Sequence, residues 1–199
     1  MFGEIFWNET RSSDSSPVEI NEGVTIRRLV KNDVELLREF FRGLSKPTLF
    51  WRFMSPVHEI SEKLLHQLAD TKHDGHYALI AEHEENGHRR TVAEARYVRD
   101  QTDPAKCEFA ISVADEMQGR GLGSALLQFL ETHASKNGVL EMTAETLREN
   151  TAMARLAKRA GYSIVTNFTD PRTVKLKKSL NQPNPASQGL PFTHVEIAA

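Results

Sequence analysis

A chain of 199 residues, 39% hydrophobic and 26% charged, has room for one domain with a sizeable core and two tails, and little room for a second. A formal net charge of -2 gives no case for nucleic-acid binding, which needs a concentrated basic face. The single cysteine, Cys107, excludes an internal disulfide framework and a cysteine-cluster metal site. No apolar run approaches the roughly 18 residues of a membrane span, and the first residues lack the basic start and apolar core of a secretion signal, so the sequence points to a cytoplasmic protein.

In chain order, residues 1–22 open with Phe2, Ile5, Phe6 and Trp7 and then turn polar. They read as a flexible lead whose apolar tip docks on the domain or on a partner subunit. VTIRRLV (24–30) alternates as a first strand, and Asp33 caps or starts a helix with Leu36, Leu37, Phe40 and Phe41 inward. SKPTLFWRFMSP is a short helical or irregular connector packed by Phe50, Trp51 and Phe53. Ser61 then caps a helix carrying Leu64, Leu65 and Leu68. HYALIAEHEE and RRTVAEARYVRD form a hairpin at Asn86-Gly87, and KCEFAISV continues the antiparallel meander. Cys107 falls on this last strand, where a buried inert thiol is the expectation.

Next comes QGRGLG, running into the amphipathic SALLQFLETHASK. Gly119, Gly121 and Gly123 leave backbone N–H groups exposed at a helix start, where amides and the helix dipole together bind anionic phosphate oxygens. Glycine in a helix costs roughly 1 kcal/mol relative to alanine, and close approach to a ligand is one compensating reason. A tight turn without a ligand is the other reading. A Walker loop is disfavoured because no Gly-Lys-Ser/Thr follows, and the spacing and late position are wrong for a dinucleotide fingerprint.

Asn137-Gly138 closes that helix and LEMTAET is the next strand. Asn150 opens a helix with Met153, Leu156, Ala157 and Ala160 on one side, ended by Gly161. YSIVTNF and TVKLKKSL pair around an Asp170-Pro171 turn. Residues 23–180 thus form the domain, and 181–199 are a tail, disordered or an added edge strand. The order of elements gives an α+β class, a mixed central sheet of about seven strands flanked by about four helices, and not a doubly wound sheet.

AISV, QGRGLG, the AET strand and NTAMARLAKRAGY, in this order and spacing, resemble the Gcn5-related N-acetyltransferase (GNAT) superfamily across residues 24–178. TIRRL, FFRGLSKPTLFWRF, SEKLLHQLAD, HYALIAE, VAEARYVRD and CEFAISVADEMQGRGLG are similar, within it, to the catalytic domain of bacterial Pat-type protein lysine acetyltransferases. The resemblance implies the GNAT fold and an acetyl-CoA donor whose pyrophosphate lies on the amides of residues 118–123. It implies a sheet splayed between the family's fourth and fifth strands, here KCEFAISV and LEMTAET, with the pantetheine arm inserted like an extra strand.

On this chain the backbone of Ile111, Ser112 and Val113 would line that arm, with Ile111 and Val113 bonding its amides. Gln118, Gly119, Arg120, Gly121, Leu122, Gly123 and Ser124 would hold the phosphates, and Asn150 and Met153 would approach from the next helix. Arg120 and Ser124 add a charge-assisted and a hydroxyl contact. Pat-type enzymes often carry an acyl-CoA-synthetase-like or cyclic-nucleotide-binding domain, for which this chain has no room, so regulation by such a module is expected to be absent or supplied in trans.

Attack on a thioester needs a neutral amine, whereas a lysine with pKa near 10.4 is protonated at pH 7, so a base is required. Glu108 matches the Glu that serves as base, often through a water, in Pat-type enzymes. A carboxylate paired with Arg or Lys is its structural alternative, and Glu94 is the reserve candidate. Strand alternation does not decide between them without the register. The Val113 amide would stabilise the oxyanion. Many GNAT enzymes place a Tyr seven residues after the helix-opening Asn as an acid. That position here is Ala157, so coenzyme A leaves as a thiolate or is protonated by water, and Tyr162 is expected in core packing.

The scattered His58, His66, His73, His76, His83 and His88 suggest no metal site. His73 and Asp74 lie in a loop that is either solvated or borders the acceptor cleft. Trp51 and Arg52, by family analogy, wall the acceptor side. Glu82, Glu84 and Glu85 read as a solvated strand end or as an attractor for a basic protein substrate. The expected function is acetyl transfer to an amine in a ternary complex, a protein lysine first, with acyl-CoA synthetases as candidate protein substrates. The alternatives are a small-molecule amine acetyltransferase and a non-catalytic acyl-CoA sensor. Monomer and homodimer both remain open.

Overall fold

The computed structural model describes residues 17–21, 23–71 and 75–180. They form eight strands and five α-helices. The strands are β1 (Val18–Asn21), β2 (Val24–Arg28), β3 (His76–Glu85), β4 (His88–Arg99), β5 (Lys106–Val113), β6 (Glu141–Leu147), β7 (Ser163–Thr166) and β8 (Thr173–Ser179). The helices are α1 (Val34–Gly43), α2 (Lys46–Phe53), α3 (Glu62–Ala69), α4 (Leu122–Lys136) and α5 (Thr151–Arg159). The sheet order is β1-β2-β3-β4-β5-β6-β8-β7. Every neighbour is antiparallel except β5 and β6, which run parallel.

Local chemistry explains most of these elements. Asn86 and Gly87 adopt φ of 52° and 76°, the left-handed pair that lets a two-residue turn follow the twist of the flanking strands. Gly138 at φ 85° ends α4, and Ser61 caps α3 by accepting a bond from the Leu64 N–H at 3.3 Å. The connector expected after α1 is a regular helix, α2, begun by Ser45, which accepts from the Thr48 N–H, with proline in the first turn where no N–H is needed.

Three local expectations are corrected. Val18–Asn21, read as part of the lead, is a strand on β2, because Val18 and Ile20 alternate and Ile20 is buried. Asp33 stands at the N-cap position and so starts α1, but its side chain makes no cap bond there: the carboxylate accepts from Arg27 and from the Val30 N–H at 2.8 Å, and a bidentate pair with a guanidinium outcompetes a bond to a single backbone N–H. Within α2 it is Thr48 and Leu49 that are buried, with Phe53 against Phe41, while Phe50 is exposed. The aromatic tip of the lead, the loop with His73 and Asp74, and the 181–199 tail lie outside the described residues.

The sheet separates two helical layers. On β5, Val113 faces Gly123 of α4, which also borders Leu156 of α5, and Phe109 meets Tyr162 at 5.3 Å between ring centroids. Strand alternation therefore assigns the odd residues of β5 to the α4/α5 layer and the even ones, Glu108, Ala110 and Ser112, to the opposite layer. There Arg96 of β4 donates to the Leu68 carbonyl of α3, and α2 packs on both β5 and β6.

Candidate active site

β5 and β6 begin as partners and then separate. They pair at Lys106–Glu141, Cys107–Met142 and Glu108–Thr143, and there the ladder stops, although β5 runs on to Val113 and β6 to Leu147. Each strand stays paired on its outer side, β5 with β4 through Val113 and β6 with β8 through Leu147. A wedge opens in the middle of a continuous sheet.

The direction of the backbone groups follows from one bond. The Ala114 N–H donates to the Val92 carbonyl on the β4 side, so by alternation the N–H groups of Ile111 and Val113 point the other way, into the wedge. Among the described residues no strand pairs with them there. The Val113 carbonyl, on the same side, accepts from Gln118 Nε2 at 3.1 Å. Buried backbone donors without partners are rare, so a row of them marks a place for an extended ligand with amide groups of its own. Ser112 lies on β5 but turns its side chain to the α1–α3 layer, and its Oγ is buried there without a partner.

The wedge opens onto the glycine loop. Gly119 and Gly121 adopt φ of 74° and 82° and precede the helix, and only Gly123 lies within α4. Two of the three glycines thus answer to backbone conformation and carry no helix penalty. Among the described residues the N–H groups of Gly119, Arg120, Gly121, Leu122 and Gly123 have no hydrogen-bond partner, and α4 has no side-chain cap. The Gln118 N–H differs, since it donates to the Asp115 carbonyl. Arg120 is exposed, Ser124 is half-buried, and Leu122 packs in the core. Five free amides at the positive end of a helix of 15 residues, with a cation beside them, suit a diphosphate.

Asn150 sits at the start of α5 with its side chain already engaged. Its Oδ1 accepts from the Met153 N–H at 3.0 Å and its Nδ2 donates to Thr146 Oγ1 at 3.2 Å, which makes it a helix cap tied to β6. Met153 is half-buried and packs on the core. Ala157 is fully buried and Tyr162 nearly so, against Phe109. Cys107 faces the same layer, and burial pushes its thiol up to about 12, leaving no thiolate at neutral pH. Among the described residues no group of His, Cys, Asp and Glu has metal-binding geometry.

The register places both carboxylate candidates on the other face. Glu94 stands directly opposite Ser112, and Glu108 is four residues further along β5, roughly 13 Å away at strand rise. Their environments differ sharply. Glu94 is 0% exposed and ion-paired to Arg96 of β4 and to Arg52 of α2, the latter at 3.5 Å.

Glu108 stands where the wedge begins, reached by water yet lined by protein on several sides. Crowding by the protein raises its pKa above the ordinary carboxylate value, and Glu145 pushes the same way. Lys175, a backbone hydrogen bond from Glu145 and Arg52 oppose the rise. Glu145 is itself held by Asn167 Nδ2 at 2.9 Å and Thr173 Oγ1 at 2.6 Å.

Two side-chain arrangements at the site escape a reading of the sequence alone, although Arg52 itself was placed on the acceptor wall by family analogy. The first is Arg96 with Arg52 around Glu94; charges at positions i and i+2 inside the apolar run VAEARYV were the available signal. The second ties α2 to the glycine loop. The Asp115 carboxylate accepts from the Ser45 N–H at 3.0 Å and from Ser45 Oγ and Thr48 Oγ1, each at 2.7 Å. Glu82, read as solvated, is buried on Arg27, whereas Glu84 does pair at the surface, with Arg89.

Comparison with known proteins agrees with this geometry. The sequence profile of the acetyltransferase (GNAT) family matches residues 38–162. Acetyltransferase PA5475 of Pseudomonas aeruginosa is 34% identical over 164 residues, 78% of this chain and 88% of that protein. Acetyltransferase Pat of Mycolicibacterium smegmatis is 31% identical over 147 residues, 73% of this chain but only 43% of the relative's length. The crystal structure of the GNAT domain of S. lividans PAT superposes with a TM-score of 0.74 at 27% identity, covering 86% of this chain and all of that one. The chain belongs to the GNAT family. It is an acetyl-CoA-dependent acetyltransferase closely related to Pat-type lysine acetyltransferases.

Proposed function

We propose that this enzyme transfers the acetyl group of acetyl-CoA to the side-chain amine of a protein lysine, in the cytoplasm, with an acyl-CoA synthetase as a candidate protein substrate. The observation that carries the reading is Glu108, a water-accessible carboxylate where the wedge begins, on a face shared with Glu145, Lys175 and Arg52. An amine on a long flexible stem reaches such a site from a macromolecular surface. The relation to Pat-type enzymes supports the same acceptor.

Acetyl-CoA supplies a thioester carbonyl for attack. The free amides of Gly119 to Gly123 and the Arg120 side chain bind its diphosphate, and the Ile111 and Val113 N–H groups hold the arm extended in the wedge. The Val113 amide is also the candidate donor to the oxyanion. Glu108 takes the proton as the amine nitrogen bonds to the carbonyl carbon, directly or through a water, and the carbon–sulfur bond then breaks. No side-chain acid stands at Ala157, so the thiolate departs as such or takes a proton from water. Asn150 and Met153 act by setting the start of α5 beside the cofactor, and Glu94 serves the structure, not the proton transfer.

Coenzyme A release measured against a panel of polyamines, free amino acids and purified acyl-CoA synthetases tests the acceptor. Turnover is expected with protein only, and turnover with a free amine at comparable kcat/KM would replace the reading by a small-molecule acetyltransferase. No turnover with any acceptor despite acetyl-CoA binding would mark a sensor.

The anchoring loop has its own test. Gly121→Ala places a side chain at φ 82°, which costs about 1–2 kcal/mol and tilts the amides out of line. Calorimetry should show acetyl-CoA binding weakened about tenfold or more. In Gly123→Ala the added carbon would meet Leu156 Cδ2 at 3.6 Å and Val113 Cγ2 at 3.9 Å, ordinary contacts, so binding is expected near wild type. Unchanged affinity in Gly121→Ala would move the diphosphate elsewhere.

A further inference from the structure

Acetyl-CoA has to engage two places at once. In the proposed complex its pantetheine arm lies in the wedge and its diphosphate on the glycine loop, and a covalent chain of fixed length joins the two. The last wedge amide, Val113, and the first loop amide, Gly119, must therefore stand at a set spacing. Between them lie residues 114–118, of which Asp115–Met117 form a single 3-10 turn. So short a turn has little rigidity of its own, and Gly119 and Gly121 beyond it are left-handed residues with wide conformational freedom.

Side chains from elsewhere in the chain hold this segment. Asp115 Oδ2 accepts from the Ser45 N–H at 3.0 Å, and Oδ1 accepts from Ser45 Oγ and Thr48 Oγ1, each at 2.7 Å. The carboxylate thus sits at the amino end of α2, where the helix dipole favours negative charge. Three charge-assisted bonds on one carboxylate, spanning 67 to 70 residues of sequence, are a strong constraint on a turn of this length. Gln118 adds the other half of the brace: its Nε2 donates to the Val113 carbonyl at 3.1 Å and leans on Thr48 Oγ1 at 3.5 Å. Thr48 is buried, so Asp115 and Gln118 meet on one fixed point of α2. That helix packs in turn on β5 and β6, the two walls of the wedge.

We propose that Asp115 is a positioning residue: clamped on Ser45 and Thr48, with Gln118 bridging to the Val113 carbonyl, it sets the glycine loop at the distance from the wedge that lets one coenzyme A molecule engage both. The inference rests on the reading of the loop as the diphosphate site. Acetyl-pantetheine, which carries the arm and the thioester but no diphosphate, tells the two apart.

Asp115 is exposed, so Asp115→Ala should fold, which far-UV circular dichroism and a cooperative urea transition check. Asp115→Asn keeps one acceptor oxygen and supplies the same comparison should the alanine variant fail to fold. In calorimetry, acetyl-CoA binding should weaken about tenfold in Asp115→Ala, as the benefit of joining the two halves is lost, and by less in Asp115→Asn. With poly-L-lysine as probe acceptor, kcat/KM for acetyl-pantetheine should stay within about twofold of wild type in both, because the wedge alone binds it. Thr48→Val removes one donor of the clamp and should weaken acetyl-CoA binding about threefold by itself, yet add nothing to Asp115→Ala. Unchanged acetyl-CoA affinity in the folded variants, an equal loss with acetyl-pantetheine, or Thr48→Val and Asp115→Ala effects that multiply would overturn the proposal. Wild type using acetyl-pantetheine as well as acetyl-CoA would overturn the loop as the diphosphate site, and the proposal with it.

Discussion

Glu108→Gln is expected to lower kcat/KM at pH 7 by about 100- to 10,000-fold, the usual worth of a positioned general base, with acetyl-CoA affinity within about twofold of wild type. The amide has nearly the same shape, so the wedge and the glycine loop stay as they are. The defect should shrink as pH rises toward 9. Over that range the neutral fraction of a lysine with pKa near 10.4 increases by nearly two orders of magnitude, and the need for a base falls accordingly. Wild-type activity should be lost as pH drops through the Glu108 pKa, which lies above the ordinary carboxylate value, so the acid limb should appear at unusually high pH. Coenzyme A release by a thiol-reactive dye across pH 5.5–9.5 measures both effects, and Glu108→Gln turning over like wild type would move the base to another group.

Glu94→Ala should do the reverse. It removes the carboxylate that Arg52 and Arg96 share, leaving buried cations uncompensated, at a cost of about 3–5 kcal/mol in urea unfolding. Glu94→Gln should cost less, because the amide oxygen still accepts from Arg96. Glu108→Ala, at a water-accessible position, should stay within about 1 kcal/mol of wild type. One carboxylate is thus expected to govern turnover and the other folding; a stable, inactive Glu94→Gln would reverse the assignment.

Much of the fold could be read from local chemistry. Asn86-Gly87, Ser61, Gly138 and the alternation of KCEFAISV each fix a turn, a cap or a strand through their own backbone preferences, and the structure has them in those roles. The glycine loop was visible for the same reason, though its conformational logic was not: Gly119 and Gly121 are left-handed residues before the helix, not helical ones.

What stayed hidden depends on partners far along the chain. The run from Phe109 to Val113 looks like any paired strand, and nothing within it says that β6 turns away to follow β8. Glu94 and Glu108 were equivalent until the β4–β5 register put them on one face and α2 delivered Arg52 to the first of them, 42 residues away in sequence. Asp33 shows the same limit at shorter range, since Arg27 and the Val30 amide claimed a side chain that a helix start would also have used.

Among the described residues a short ladder, the three couples from Lys106–Glu141 to Glu108–Thr143 with the Leu140 N–H on the Ala105 carbonyl just before them, stitches the five-strand leaf of the sheet to its three-strand leaf. Like a book bound along a short spine, such a sheet gains a page when an extended ligand slides between the covers. The folded state then draws stability from the metabolite it consumes, and the protein's resistance to heat and proteolysis rises and falls with the supply of its donor.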